Sequence, residues 1–366
     1  MKIAVFFTYD YSLSTLESIG ILERELEIYL RIKKKFKCNF IFFTYDEEIE
    51  QINKYDFEFF PIYKYIKKPK NKLVRLFKSF IIPFKIKSHL SNIDVLHQHQ
   101  LLGVWIPLIL KFILKKPLLT RTGYDAFQFS IKNNENRLKI FFYKLLTNIA
   151  LKYSNLYTVT SFSDFNFLKS YFGVNNIKVV PNWIKLSNKI EFKNRKLKIL
   201  MVGRLEMQKN YSQVIELLKT SDIDLEVDVY GSGSEQNKLE TISKEESLKI
   251  NFLGNISNKR LIEVYKTYRI FLSTSLYEGN PKTVLEALSQ GCIVVASDIE
   301  NHREIIENNV NGFLFKDLKE LNDILSNIYQ DSDLAIKFFK NSFEILNKNK
   351  IETIVDIIYQ DYKSLI

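Results

Sequence analysis

Phe271–Glu304, FLSTSLYEGNPKTVLEALSQGCIVVASDIENHRE, encodes a strand, a turn, a helix and a second strand in one unbroken run. The apolar residues Ile270, Phe271 and Leu272 give way to Ser273, Thr274 and Ser275, as a buried strand does where it reaches the rim of a sheet. Asn280 is then placed as a helix N-cap, with Pro281 at the first helical position. The helix runs through Leu285 and Leu288 and ends at Gly291, and Val294, Val295 and Ala296 form the next strand. A strand, tight turn and helix start make an anion site, because backbone N–H groups and the positive end of the helix dipole face outward together. Glu278 stands on that turn, and Glu286 follows about a turn and a half into the helix.

The Glu-Gly-x-Pro-x-x-x-Leu-Glu-Ala pattern closed by Gly291 resembles the retaining, nucleotide-sugar-dependent glycosyltransferases of the GT-B fold, group 1 (family 4) class. Further segments agree in order and spacing. Lys198–Asn210, KILMVGRLEMQKN, looks like that family's strand, glycine turn at Gly203 and donor-site lysine. VYGSG at Val229–Gly233 resembles its second glycine turn, NFLG at Asn251–Gly254 the segment beside the base, and Asn311–Leu314 the closing element. The likeness is strongest over residues 196–316.

The composition is that of a globular protein, with 46% hydrophobic and 26% charged residues, and 366 residues are enough for two domains with separate cores. Cys38 and Cys292 fall in different halves, which indicates no disulfide framework and a reducing compartment. The opening MKIAVFF reads as a first strand rather than a signal peptide, and the longest apolar run, Leu101–Leu110, is too short to span a bilayer. We therefore expect a cytoplasmic protein. Charge is divided unevenly. Residues 1–200 hold 34 Lys and Arg against 16 Asp and Glu, whereas residues 201–366 hold 19 against 26. Halves of opposite sign are expected to meet different partners.

Apolar strands near 2–7, 38–44, 93–97, 117–121 and 155–160 alternate with helical stretches, the first at about 14–35 with Ser14 and Glu17 spaced as a capping box. A second series, near 198–202, 225–230, 249–253, 269–273 and 292–296, repeats the alternation. This pattern predicts an α/β protein with two Rossmann-like, doubly wound parallel-sheet domains facing a cleft. The expected domains are 1–185 on the acceptor side, joined by a C-terminal helix at 351–366, and 196–350 as the nucleotide-sugar domain. Pro181-Asn182 and the polar run Ser187, Asn188, Lys189 mark the join.

The resemblance gives each site residue an expected task. Arg204 and Lys209 bind the diphosphate and neutralise its charge as the sugar–phosphate bond breaks. The backbone around Asn280, Pro281, Lys282 and Thr283, with the turns at Gly203 and Gly233, adds to that grip. Glu286 holds the ribose and Glu278 the donor sugar. Transfer would proceed with retention through an oxocarbenium-like state, without a metal and without a cofactor beyond the donor, an NDP-sugar whose base is not legible in the sequence and for which UDP is the first expectation. Asp222-x-Asp224 matches the metal–diphosphate signature of another transferase fold, but it precedes its strand at the wrong end and reads as a turn.

The N-terminal half departs from the family. Thr8-Tyr9-Asp10-Tyr11-Ser12 stands in place of a glycine-rich loop, and without G-x-G-x-x-G there is no case for a nicotinamide enzyme. Thr120-Arg121-Thr122-Gly123-Tyr124 replaces Thr-x-His-Gly, leaving Arg121 or Tyr124 as substitutes for the family histidine. His97-Gln98-His99 ends a strand and reads as structural, and Ser161 matches a position near the cleft loosely. Residues 61–87 interleave lysines such as Lys64, Lys72, Lys78 and Lys85 with Tyr65, Phe77, Phe80 and Phe84, and Phe59–Ile93 holds no acidic residue. Such a segment attracts an anionic membrane surface, which places the protein on the inner leaflet beside a glycan or lipid-linked acceptor; a solvated face is the alternative. Two other functions stay open: a nucleotide-sugar epimerase or hydrolase on the same fold, and a basic nucleic-acid-binding protein. The second lacks any helix-turn-helix, RNP or zinc pattern, so no nucleic acid is expected.

Overall fold

The computed structural model describes residues 1–18, 20–48, 55–186, 190–221, 223–330 and 334–366. The chain divides into two compact units, Met1–Val180 with Ile354–Ile366, and Pro181–Thr353. Unit 1 holds strands β1 (Lys2–Phe6), β2 (Asn39–Thr44), β3 (Glu58–Pro61), β4 (Val95–His99), β5 (Leu118–Arg121), β6 (Leu156–Val159) and β7 (Ile177–Val179). They form a parallel sheet in the order β3-β2-β1-β4-β5-β6-β7. Unit 2 holds β8 (Lys196–Val202), β9 (Val227–Tyr230), β10 (Ile250–Gly254), β11 (Tyr268–Ser273), β12 (Ile293–Ser297) and β13 (Phe313–Phe315), in the order β10-β9-β8-β11-β12-β13. β1 and β12 carry near-continuous apolar runs, as strands covered on both faces do; β1 is buried from Ile3 to Phe6 and β12 from Ile293 to Ala296.

In each sheet the winding direction reverses once. It does so between β1 and β4 in unit 1, and between β8 and β11 in unit 2. Those two crevices, at the carboxyl ends of the strands, are where doubly wound sheets bind ligands.

Three expectations about local structure require correction. The single helix over 14–35 is two helices, Leu13–Ser18 and Leu22–Phe36, interrupted at Gly20, whose φ of 72° lies in the left-handed region. No Ser14–Glu17 capping box closes the first helix. The Asp46 carboxylate accepts the Leu13 and Ser14 N–H groups instead, at 2.9 and 3.3 Å. Residues 181–185, read as part of the first domain, pack with unit 2, where Ile184 is paired through its backbone to Asn349 and Ile351. The polar run 187–189 lies outside the described residues.

The C-terminal helix, Ile351–Lys363, contributes its last turns to unit 1. Tyr359 stacks on Phe36 with ring centroids 3.7 Å apart, and the Tyr362 hydroxyl lies 2.6 Å from His97 Nδ1. Asp361 pairs with Lys178. His97 is fully buried there, and burial pushes its pKa well below the ordinary histidine value, so it is a neutral packing group.

Candidate active site

The site in unit 2 is built from three loops. The first follows β8. Gly203 passes its N–H to the Tyr230 carbonyl, and Leu205 N–H reaches Ser232 at 3.0 Å, so this turn lies directly on the turn after β9. A Cβ on Gly231 would stand 1.9 Å from the Gly203 carbonyl oxygen, and one on Gly233 would stand 2.3 Å from that of Leu205. Only glycine permits backbone to pack on backbone at that range. Arg204, exposed at the tip, makes no ion pair among the described residues.

The second loop, after β11, is laced to the first. Leu276 N–H donates to the Gln208 carbonyl, Thr274 Oγ1 to the Lys209 carbonyl, and Gln208 Nε2 to the Tyr277 carbonyl at 2.7 Å. Glu278 is thereby held 7% exposed, with Oε1 accepting from Lys209 Nζ at 2.5 Å and from Ser275 Oγ at 2.6 Å. Burial opposes ionisation of this carboxyl, but the Lys209 cation and the Ser275 hydroxyl outweigh it, and its pKa falls below the usual value. Glu278 is thus an ionised carboxylate inside a cation-bearing crevice.

Asn280 does not cap the following helix, and Pro281 is not its first residue. The helix is Lys282–Ser289, with Pro281 at the cap position and no side-chain cap. Asn280 Oδ1 instead accepts from the Asn182 N–H at 3.0 Å, and Asn182 Nδ2 donates to the Asn280 carbonyl at 2.7 Å. A partner distant in sequence has outcompeted the local cap. Lys282 and Thr283 occupy the first turn, where N–H groups have no intrahelical acceptor. Glu286 is buried, its carboxylate accepting from Asn258 Nδ2 at 3.0 Å and Tyr265 Oη at 3.4 Å.

The third loop follows β12 and carries residues that sequence reasoning missed. Asn301 Nδ2 donates to the Gly279 carbonyl at 2.7 Å, fixing the turn next to Glu278. His302 is fully buried and lies 2.8 Å from the Ser297 carbonyl through Nδ1 and 3.4 Å from Ser273 Oγ through Nε2. Burial lowers its pKa, so a neutral ring sits beneath the two strand ends. Nothing in local periodicity marks either residue, because each acts across the sheet.

Other expected residues are placed elsewhere. Asp224 pairs with Lys249 at 2.5 Å, and Asp222 lies outside the described residues. Ser161 caps the helix Phe162–Phe172 by accepting the Asp164 N–H. Arg121 Nη1 donates to the Val180 carbonyl at 3.0 Å, whereas Tyr124 is half exposed beside a cavity in unit 1.

Residues 184–344 match the model of the family described as glycosyl transferases group 1. The matched stretch lies within unit 2. The chain is 31% identical over 134 residues to the UDP-N-acetylglucosamine--peptide N-acetylglucosaminyltransferase GtfA subunit of Streptococcus agalactiae. That alignment covers 36% of this chain and 26% of the streptococcal protein. It is 28% identical over 244 residues to the capsular polysaccharide biosynthesis glycosyltransferase CapH of Staphylococcus aureus, covering 62% of this chain and 66% of CapH. Among solved structures, Anabaena Alr3699/HepE in complex with UDP and glucose superimposes with a TM-score of 0.78 at 16% identity, covering 100% of both chains. Sucrose-phosphate synthase from Thermosynechococcus elongatus gives 0.77 at 14% identity, over 100% of this chain and 99% of the other. These likenesses, with the two parallel sheets, make the fold GT-B. The domain's switch-point crevice is therefore the one that carries Arg204, Lys209 and Glu278.

Proposed function

We propose that the protein is a retaining, metal-independent glycosyltransferase that moves a sugar from a UDP-sugar to a glycan or lipid-linked acceptor in surface polysaccharide or glycolipid synthesis. The observation that carries this reading is the Lys209–Glu278 pair, set in the crevice between Arg204 and the side-chain-uncapped start of the helix Lys282–Ser289. Departure of UDP leaves negative charge on the diphosphate. Arg204, Lys209 and the first-turn N–H groups are arranged to receive it, which removes the need for a metal. We assign Glu278, held by Lys209 and Ser275, to the donor-sugar hydroxyls rather than to attack on carbon, and retention to acceptor attack on the face that the phosphate leaves. The polysaccharide and UDP assignments lean on what the relatives are named for, namely capsule synthesis in CapH and UDP with glucose in the Anabaena protein.

Thermal stability in EDTA against UDP, GDP, CDP and NAD tests the donor. A ligand at about a hundred times its Kd adds roughly 2.7 kcal/mol to the native state. The expected result is a shift with UDP that disappears in the Arg204→Ala/Lys209→Ala double variant. No shift with any nucleoside diphosphate, or a shift that requires a divalent cation, removes the reading. Glu278→Ala is expected to keep most of the UDP shift while losing transfer.

Peripheral attachment to an anionic membrane is part of the proposal. Among the described residues no helix is long and apolar enough to cross a membrane. The segment 61–87 instead folds into short helices, Ile62–Tyr65, Lys72–Ser79 and Ile82–Ile86, whose inner residues Ile82 and Ile86 join the core of unit 1. Leu73, Phe77 and Phe84 are 66%, 73% and 55% exposed beside the lysines.

A further inference from the structure

His302 is a fully buried ring, and both of its nitrogens are engaged beside the crevice that carries Glu278. Nδ1 lies 2.8 Å from the Ser297 carbonyl oxygen, which can only accept, so Nδ1 carries the proton. Burial keeps the ring neutral although the Glu278 and Asp298 carboxylates favour its charged form; the nearby Lys209 cation opposes that form. Nε2 is therefore an acceptor, and the Ser273 hydroxyl 3.4 Å away donates to it. Ser273 ends β11 and Ser297 ends β12, two paired strands in which Ser273 stands opposite Ala296. One rigid ring thus braces two neighbouring strand ends.

That brace leads to Glu278. The two residues held by His302 are the two that hold Ser275. Ser297 Oγ donates to the Ser275 carbonyl at 2.5 Å, and Ser273 Oγ lies 3.4 Å from Ser275 Oγ. Ser275 Oγ in turn donates to Glu278 Oε1 at 2.6 Å. Asn301, the residue before His302 on the short helix Glu300–Arg303, takes the Gly279 carbonyl on the other side of Glu278 at 2.7 Å. Consecutive side chains therefore fix the chain before and after this glutamate. Its two oxygens are left unequal. Oε1 is occupied by Lys209 and Ser275, whereas Oε2 meets Gln208 Nε2 at 3.4 Å, and that amide has its shorter bond to the Tyr277 carbonyl at 2.7 Å.

We infer that His302 is a positioning residue for the donor sugar: through Ser273, Ser297 and Ser275 it fixes Glu278 so that Oε2 is the oxygen presented to the sugar hydroxyls. This role rests on the transferase reading above. It matters because a reacting group misplaced by about 1 Å can lose on the order of a hundredfold in rate.

The test is UDP release from UDP-glucose, UDP-galactose, UDP-N-acetylglucosamine and UDP-N-acetylgalactosamine by the full chain without acceptor. Variants are compared on the sugar that wild type turns over fastest, alongside UDP affinity from the thermal shift. His302→Phe keeps the bulk and removes both hydrogen bonds; kcat should fall about tenfold or more while UDP affinity stays within about twofold. His302→Asn, whose amide N–H can stand where Nδ1 stands, should recover most of that loss. If His302→Phe does not fold, Ser273→Ala carries the test, with kcat lowered about fivefold at the same UDP affinity. An unchanged kcat in these variants, UDP affinity falling by the same factor as kcat, or His302→Asn no better than His302→Phe overturns the proposal. Wild type that neither releases UDP nor is stabilised by it removes the transferase reading itself, and this role with it.

Discussion

Glu278 shows how one residue couples stability to function. Its folded pKa lies below the ordinary carboxylate value, so the unfolded chain binds more protons than the native one on acidification. The resulting stabilisation is complete above the unfolded value of about 4.3 and is lost as pH falls through the depressed folded value. Wild type should therefore lose more melting temperature between about pH 6 and about pH 3.5 than Glu278→Gln does, and parallel curves for the two would refute the ionised pair. Gly231 is the companion case in backbone chemistry. With φ 141° and a Cβ position 1.9 Å from the Gly203 carbonyl oxygen, Gly231→Ala must push the two turns apart. We expect a loss of about 2 kcal/mol or more in urea unfolding, together with weakened UDP binding. Both residues were legible in sequence because each sits in a short local motif, the strand–turn–helix run around Glu278 and the VYGSG turn that holds Gly231. Asn301 and His302 were not, since Asn301 holds the Gly279 carbonyl and His302 reaches Ser273, both on the segment that leaves a different strand.

At the level of elements, the helix Lys282–Ser289 was anticipated in place but not in its start. The Asn280-Pro281 signal is local, and a buried hydrogen bond with Asn182 prevailed over it. Leu22–Phe36 shows the same contest, in which Gly20 divides a pattern that periodicity alone continues. The helices within 61–87 carry a prediction of their own. Their exposed Phe77 and Phe84 flank lysines that would each gain about 1 kcal/mol near an anionic surface. Flotation with anionic vesicles at low salt should bring the protein to the lipid fraction. Phe77→Ser with Phe84→Ser should reduce that recovery several-fold without changing the melting temperature, because neither side chain contributes to the core. No recovery with wild type would leave these helices a solvated face.

Across the whole molecule, two parallel sheets with separate cores are linked by a chain that returns to its beginning. Tyr362 is fully buried against His97 and Phe40, and Tyr359 covers Phe36. Replacing Tyr362 with alanine opens a cavity in unit 1, at an expected cost of about 3–5 kcal/mol. Since unit 2 keeps its own core, the variant should unfold in urea with an early first transition while its UDP-dependent shift survives. Loss of that shift along with the first transition would show that the donor crevice depends on unit 1.

Sequence by itself determined the alternation of strands and helices, the two-sheet architecture, and the short-range signatures of the donor crevice: the glycine turns, Arg204, Lys209 and the two glutamates at fixed spacing. These are set by periodicity and by backbone geometry over a few residues, which one chain segment fully contains. Tertiary structure alone decided that Lys209 closes on Glu278, that Asn182 takes the Asn280 side chain, and that Asp46 fills the helix start in unit 1. Each of these joins residues more than thirty positions apart. Which donor meets which acceptor at that range depends on how the strands order themselves in the sheet, and local pattern carries no record of that order.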